Sequence, residues 1–224
     1  MREKENKANL PKELFGASMF MVVIFFGYLS FEPAVINAAN PDTIDVTATV
    51  TSDVAISSPA DVVLSGTIGG VAGGFATGSA VFNVKTSNTT GYSLKVHADQ
   101  ADTLNLDGTN HFDDYSATPT YAWTLGSGSG FGFTVNMPVA DVLDTATAFR
   151  DTGAACGSGT SNSDNTCWRG FDSTNDIEVV NRTTATDAAG TDVTLAFEAM
   201  LVSGTILPPG SYVATITVTG TPTP

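Results

Sequence analysis

Apolar and polar side chains alternate with a period of two along much of the chain beyond residue 40. In "IDVTATV" (44–50), the apolar positions fall on one face and Asp45, Thr47 and Thr49 on the other. A period of two places apolar and polar side chains on opposite faces only in an extended strand. The same pattern predicts strands at 81–85, 91–98, 120–125, 131–135, 192–202 and 211–219, with shorter candidates at 54–57, 62–65 and 177–181.

Polar, Gly-containing or Pro-containing links join successive strand candidates. "TSNTTG" (86–91) and "GSGSG" (126–130) each predict a hairpin between the strands that flank them. In "SGTILPPG" (203–210), the Pro and Gly residues exclude a helix and predict a turn between strands 192–202 and 211–219. The Gly-rich stretch 66–78 predicts a flexible loop or a strand with bulges. Residues 138–149 can form one or two helical turns, and 150–176 is predicted to be a surface loop.

These patterns predict an all-β protein, with residues 40–224 forming a single antiparallel Greek-key β-sandwich of roughly nine or ten strands. The composition agrees, because Thr, Val, Gly and Ser are abundant there and residues that favour helices are scarce. About 185 residues are enough for one domain with a sizeable core.

The first 39 residues differ from the rest. Four basic side chains precede the apolar run "LFGASMFMVVIFFGYLSF" (14–31), and Ala38 and Ala39 follow it. This order is typical of a secretory signal peptide cleaved after Ala38 or Ala39. The run also reaches the lower length of a membrane span, so an uncleaved N-terminal anchor helix is the alternative. A third interpretation is prepilin-type cleavage after Gly16. All three predict export, to the cell surface or the medium.

The net charge of −14 belongs entirely to the exported part, since residues 1–38 hold four basic and four acidic side chains. A field of this sign repels phosphate backbones and anionic lipid surfaces. We therefore expect no nucleic-acid partner, and membrane contact only through residues 14–31.

The two cysteines of the chain, Cys156 and Cys167, flank a stretch of Gly, Ser, Thr, Asn and Asp. In an exported protein such a pair predicts a disulfide. A zinc site is disfavoured because His97 and His111 are remote in sequence and no second close pair of ligands is present. Trp168 is expected to pack over the disulfide. Calcium on Asn162, Asp164 and Asn165 is an alternative for this loop.

Oxygen ligands are densest in "NLDGTNHFDD" (105–114), where Asp107, Asn110, Asp113 and Asp114 form a candidate calcium site. A solvated loop is the alternative interpretation, and the sequence implies no other cofactor. His111, in the same segment, is expected to be a surface imidazole.

Four aromatic residues, Tyr121, Trp123, Phe131 and Phe133, are predicted to gather on one hairpin. Core packing is one interpretation. An aromatic platform for sugar rings at Tyr121 and Trp123 is the other. Glu198 falls at a position predicted to face solvent.

Two segments carry a resemblance to families of bacterial surface proteins. The opening "VTATV" and the closing "PPGSYVATITVT" resemble the spore coat protein U and chaperone–usher pilin-like domain. "TSNTTGYSLKVHA", with Tyr92 in the place of a Trp, and the same closing strand resemble the WxL cell-wall-binding domain. These resemblances imply a role at the surface or in an assembly.

No catalytic constellation appears in the sequence, so we expect a non-catalytic structural or adhesive component of the cell surface. As an assembly subunit, it would donate segment 42–50 to the open sheet edge of a neighbouring subunit. The alternatives are a module that binds cell-wall polymer or glycan, and a secreted hydrolase.

Overall fold

The computed structural model describes Ala48 and residues 51–160 and 166–224. It divides the chain into two compact units, Met1–Thr49 and Val50–Pro224, and the architecture below is that of the second. Several predicted features lie outside the described residues: the apolar run 14–31, the domain boundary after residue 39, the strand predicted at 44–50 apart from Ala48, and residues 161–165 of the cysteine loop. Within the described ranges, no helix is both long and apolar enough to span a membrane.

The described part of the chain consists of ten strands and two short 3₁₀ helices. The strands are β1 (Val54–Ile56), β2 (Ser65–Gly69), β3 (Gly73–Thr86), β4 (Tyr92–Ala98), β5 (Leu104–Asn105), β6 (His111–Phe112), β7 (Ser129–Asn136), β8 (Ile177–Arg182), β9 (Thr191–Leu201) and β10 (Ile216–Pro222). The 3₁₀ helices are Val139–Asp144 and Thr147–Phe149, as predicted for 138–149. The expected all-β class is confirmed.

Two main sheets and one small ribbon contain these strands. The large sheet has the order β1-β3-β9-β7, with β2 also paired to β3. The small sheet has the order β10-β4-β8, and β5 pairs with β6. Every strand pair in these sheets is antiparallel among the described residues.

One cluster of buried side chains takes members from both main sheets. The predicted alternation in β4 is confirmed, since Tyr92, Leu94 and Val96 are fully buried. The large sheet contributes Val84 of β3 and Leu195 of β9, among others. Burial of these apolar surfaces is the main favourable contribution to folding.

Aromatic rings fill the part of this core next to β7. The ring of Phe133 lies 4.5 Å from that of Phe171 and 5.4 Å from that of Phe149, measured between centroids. Phe131 lies 5.4 Å from Phe171. Phe131 and Phe133 therefore belong to the core, and the prediction that they share a hairpin with Tyr121 and Trp123 is wrong.

Both predicted hairpins, at 86–91 and at 126–130, are wrong for a common reason. The link 86–91 leads from β3 in the large sheet to β4 in the small sheet, and 203–210 leads from β9 towards β10, again between sheets. Residues 120–125 form no strand, and β7 pairs with β9 instead. Turn residues favour a reversal of the chain, but they do not determine which strand the next segment pairs with.

Two further expectations need correction. The Gly-rich stretch 66–78 forms the β2–β3 ladder, which agrees with the strand predicted as one of its two alternatives and not with the loop. The strand β2 begins at Ser65, where the candidate strand 62–65 ends. Residues 152–160 lie at the surface, as predicted for 150–176, but Asp151, Cys167, Trp168 and Phe171 are buried. The second half of this loop packs onto the large sheet because its backbone is hydrogen-bonded to that sheet, as described below.

Candidate functional site

The outer face of the large sheet forms the floor of a groove. Ala76 and Ala80 of β3 are buried on the inner face, so Thr77 and Ser79 point outwards, because side chains alternate along a strand. Thr77 lies opposite Glu198 of β9, and Ser79 lies opposite Ala196. Two hydroxyl groups and one carboxyl group thus occupy neighbouring positions on the same face.

Two irregular segments, 115–125 and 166–170, cover the outer face where it passes over β7. Thr120 and Trp168 hydrogen-bond to each other through their backbones, each N–H to the other carbonyl oxygen at 2.9 Å. Phe133 and Arg169 do the same, at 2.8 and 2.9 Å. The buried Thr134 hydroxyl donates to the carbonyl oxygen of Thr166. These contacts attach 166–170 directly to β7.

The close approach of these segments requires glycine at position 132 of β7. A Cβ atom built there would lie 2.6 Å from the carbonyl oxygen of Arg169 and 3.0 Å from Cβ of Tyr115. The first distance is shorter than Cβ contacts allow, so any other residue would force the backbone at Arg169 to move, and the second would require a small shift of Tyr115. The sheet therefore has no side chain at this position, and the covering segments lie against its backbone.

Aromatic side chains of the covering segments form the wall of the groove. Trp123 stacks on Tyr115, with ring centroids 4.1 Å apart and planes 13° apart, and meets Trp168 edge-on at 5.2 Å. The indole N–H of Trp123 points to the sulfur of Met200 on β9 at 3.2 Å. Tyr121 lies on the same wall. These contacts hold the indole of Trp123 in one orientation, because aromatic pairs in offset or edge-on geometry favour defined ring positions.

Floor and wall enclose a groove of about 490 Å³. This volume lies within the range of roughly 300–1,000 Å³ that is usual for small-molecule sites. The lining residues are Thr77, Gly78, Ser79, Tyr121, Ala122, Trp123, Thr166, Trp168, Ala196, Phe197 and Glu198. The two residues of the predicted aromatic platform, Tyr121 and Trp123, thus lie together at one groove.

Glu198 gives the groove its charge. Its carboxyl group is half-buried and has no hydrogen-bond or ion-pair partner among the described residues, so burial raises its pKa. It lies on the outer face, as its position in the strand predicted, but the walls of the groove reduce its contact with solvent. Among the described residues that line the groove, none carries a positive charge.

The disulfide is adjacent in sequence to a residue of the aromatic wall. Cys156 and Cys167 are joined, and Cys167 is fully buried immediately before Trp168. The Trp168 ring contacts that of Trp123. The Thr166 hydroxyl donates to the carboxylate of the buried Asp151 at 2.9 Å, which also fixes this end of the loop. The covalent bond thus restrains the segment that supplies Trp168.

The four predicted calcium ligands divide among three separate arrangements. Asp107 accepts hydrogen bonds from the backbone N–H groups of Thr109 and Asn110, and from the Asn110 side chain, which hold its pKa below the usual range. Asp114 accepts from the backbone N–H groups of residues 102 and 103. Both carboxylates therefore serve as acceptors for their own loop.

Asp113, the remaining predicted ligand, lies near Asp102 and His111. Nε2 of His111 is 3.4 Å from Oδ2 of Asp102 and 3.7 Å from Oδ1 of Asp113. The three groups could present one ligand atom each to a metal ion, and all these atoms lie within 4.8 Å of one another. Calcium takes six to eight oxygen ligands, so three side chains, one of them an imidazole, are a poor match for it. Asn162, Asp164 and Asn165 lie outside the described residues.

Comparisons with known proteins identify no relative. A scan against protein-family models, a search of curated proteins and a search of solved structures each returned no match. The function is therefore inferred from the groove.

Proposed function

We propose that this protein is an exported, non-catalytic adhesive component of the cell surface that binds a carbohydrate polymer in the aromatic groove. We further propose that residues 40–224 form one antiparallel Greek-key β-sandwich of nine or ten strands. The shared core of the two main sheets supports this architecture.

The observation that carries the proposal is the composition of the groove. Aromatic rings of Tyr121, Trp123 and Trp168 form one side, and the hydroxyls of Thr77 and Ser79 lie on the floor with Glu198. A sugar ring has an apolar C–H face and a rim of hydroxyl groups. Binding sites combine apolar and aromatic surface with a few polar groups that fix orientation. This groove offers a sugar ring both an aromatic surface and polar groups.

The number of carboxyl groups favours binding over hydrolysis. Glycosidases generally use a pair of Asp or Glu side chains on either side of the scissile bond. Among the described residues that line the groove, Glu198 is the single carboxylate. A groove of this composition can hold a sugar without providing both the acid and the base or nucleophile that cleavage requires.

Export is supported by the N-terminal sequence pattern and by the disulfide, because such bonds persist mainly in oxidising compartments. The resemblance to pilin-like and WxL domains agrees with a surface role. Donation of segment 42–50 to a neighbouring subunit would make the protein an assembly subunit as well. The groove lies on a sheet face, so carbohydrate binding does not depend on that segment.

The test uses the exported full chain with its disulfide intact. Binding to purified peptidoglycan, chitin and cellulose is measured by pull-down and by titration with soluble oligosaccharides. Tyr121→Ala removes an aromatic ring from the wall. The side chain of Tyr121 makes no hydrogen bond and no ring contact with the other described residues. We expect it to weaken binding about 3–10-fold.

Tyr212→Ala is the matched control, since Tyr212 packs edge-on against Phe112 and is not among the residues that line the groove. It should leave the affinity unchanged. Failure of the wild-type protein to bind any of the three polymers would overturn the proposal. So would a Tyr121→Ala variant that binds as tightly as the wild type.

A further inference from the structure

We propose that the groove selects sugar residues that carry a free amine, and that the Glu198 carboxylate pairs with the ammonium group. This inference rests on the proposed carbohydrate-binding function. It adds the chemical class of the ligand.

The first observation is that Glu198 has no polar partner among the described residues. Its carboxyl group lies half-buried on the floor of the groove, opposite Thr77, without a hydrogen bond or ion pair from the described residues. Partial removal of a carboxylate from water is unfavourable unless another group compensates for the lost solvation. A ligand ammonium would provide a charge-assisted hydrogen bond, which is stronger than a bond from a neutral sugar hydroxyl.

The second observation is the placement of the cations. The exported part contains Lys85, Lys95, Arg150, Arg169 and Arg182, and none of them lines the groove. Arg182 is bound to Asp141 and Asp144 at 2.8 and 2.7 Å, and Arg150 donates to the carbonyl oxygens of Thr145 and Leu143. The groove thus offers no positive charge to a uronic acid or a phosphorylated glycan.

The third observation concerns the surroundings of the carboxylate. The net charge of −14 attracts a polymer with many amines and repels an anionic one. Tyr121 and Trp123 line the same groove, and the face of an aromatic ring also attracts an ammonium group. The carboxylate, the faces of the aromatic rings and the negative net charge therefore all favour a positively charged ligand.

The experiment compares two ligands of equal length that differ only at nitrogen. These are an N-acetylated chito-oligosaccharide and its fully de-N-acetylated counterpart, titrated into the full chain at a pH where the amine is protonated. We expect the wild type to bind the amine form roughly tenfold more tightly, or better. Glu198→Gln should remove most of the preference, leaving the part that comes from the ring faces and the net charge, and should retain binding of the acetylated form.

Asp53→Asn is the control for overall charge. Asp53 is exposed and lies near Thr86, at the end of β3 that is farther from the groove. Its substitution by Asn removes one negative charge, as Glu198→Gln does. It should keep the wild-type preference. Far-UV circular dichroism of both variants checks that they fold.

The outcomes separate the two proposals. Equal wild-type affinity for the two oligosaccharides would overturn the amine selection and leave carbohydrate binding standing. Absence of binding to these ligands and to every polymer of the earlier test would overturn both. A preference that is undiminished in Glu198→Gln would show that the carboxylate is not the selecting group, and would also overturn the inference.

Discussion

The two faces of the large sheet are built from the same strands but organised in different ways. On the inner face, Val84, Phe133 and Leu195 are fully buried in the core that the small sheet completes. On the outer face, irregular segments cover β7 and reach β9 at Met200, but they leave Thr77, Ser79 and Glu198 to line a groove. One face is thus closed by another sheet, and the other is left with an open groove. The same alternation that builds a core can supply the floor of a binding site.

The largest expected effect is on the closed face. Phe133→Ala removes a fully buried ring that packs against Phe149 and Phe171, and should lower the free energy of unfolding by about 3–5 kcal/mol. Tyr121→Ala on the open face should cost less than about 1 kcal/mol. Urea titrations of the two variants measure both values. Comparable losses would show that the wall is as much a part of the core as β7.

The disulfide should have the next largest effect. Replacement of both Cys156 and Cys167 by Ser should lower the free energy of unfolding by about 2.5–3 kcal/mol, from the entropy of the small loop that the bond closes. It should also weaken carbohydrate binding, because Trp168 follows Cys167 directly. Thermal unfolding and titration with oligosaccharide measure the two effects.

Reduction of the wild type should reproduce the behaviour of this double variant. Undiminished carbohydrate affinity in the reduced protein would mean that the hydrogen bonds of Thr120 and Thr134 hold the wall without the covalent bond.

The smallest expected effect concerns Glu198. Burial raises the pKa of its carboxyl group in the folded state, so the charged form is destabilised there relative to the unfolded chain. Glu198→Gln should therefore stabilise the protein at pH 7, by a few tenths of a kcal/mol since solvent still screens the group. The gain should disappear at about pH 4, where the carboxyl is largely protonated in both states. Urea titrations at the two pH values provide the test, and a gain that is constant with pH would contradict the burial argument.

Local periodicity was enough to predict several strands and their buried faces. Tyr92, Leu94 and Val96 were assigned correctly because only one face of β4 can meet the core. The same rule failed at 120–125, where Tyr121 and Trp123 alternate with small residues but form no strand. Their positions depend on Tyr115 and Trp168, which lie elsewhere in the sequence, so no local pattern could reveal them.

The site was predictable in part. The pairing of Tyr121 with Trp123 as an aromatic platform came from sequence, and both line the groove. The contributions of Glu198, Thr77 and Trp168 were missed. Alternation indicates the face on which Glu198 lies, but what covers that face depends on residues distant in sequence. Trp168 was expected at the disulfide because it neighbours Cys167 in sequence, and that position gave no indication of the contact between its ring and Trp123.

The pairing of β3 with β9 has a consequence for how the protein acquires its structure. Gly74 pairs with Leu201, and Tyr92 of β4 with Pro222 of β10, so each main sheet needs a strand from near the end of the chain. Contacts between residues so far apart in sequence form slowly, since the intervening chain must lose its freedom first. Neither sheet can therefore be completed before these later strands have been synthesised.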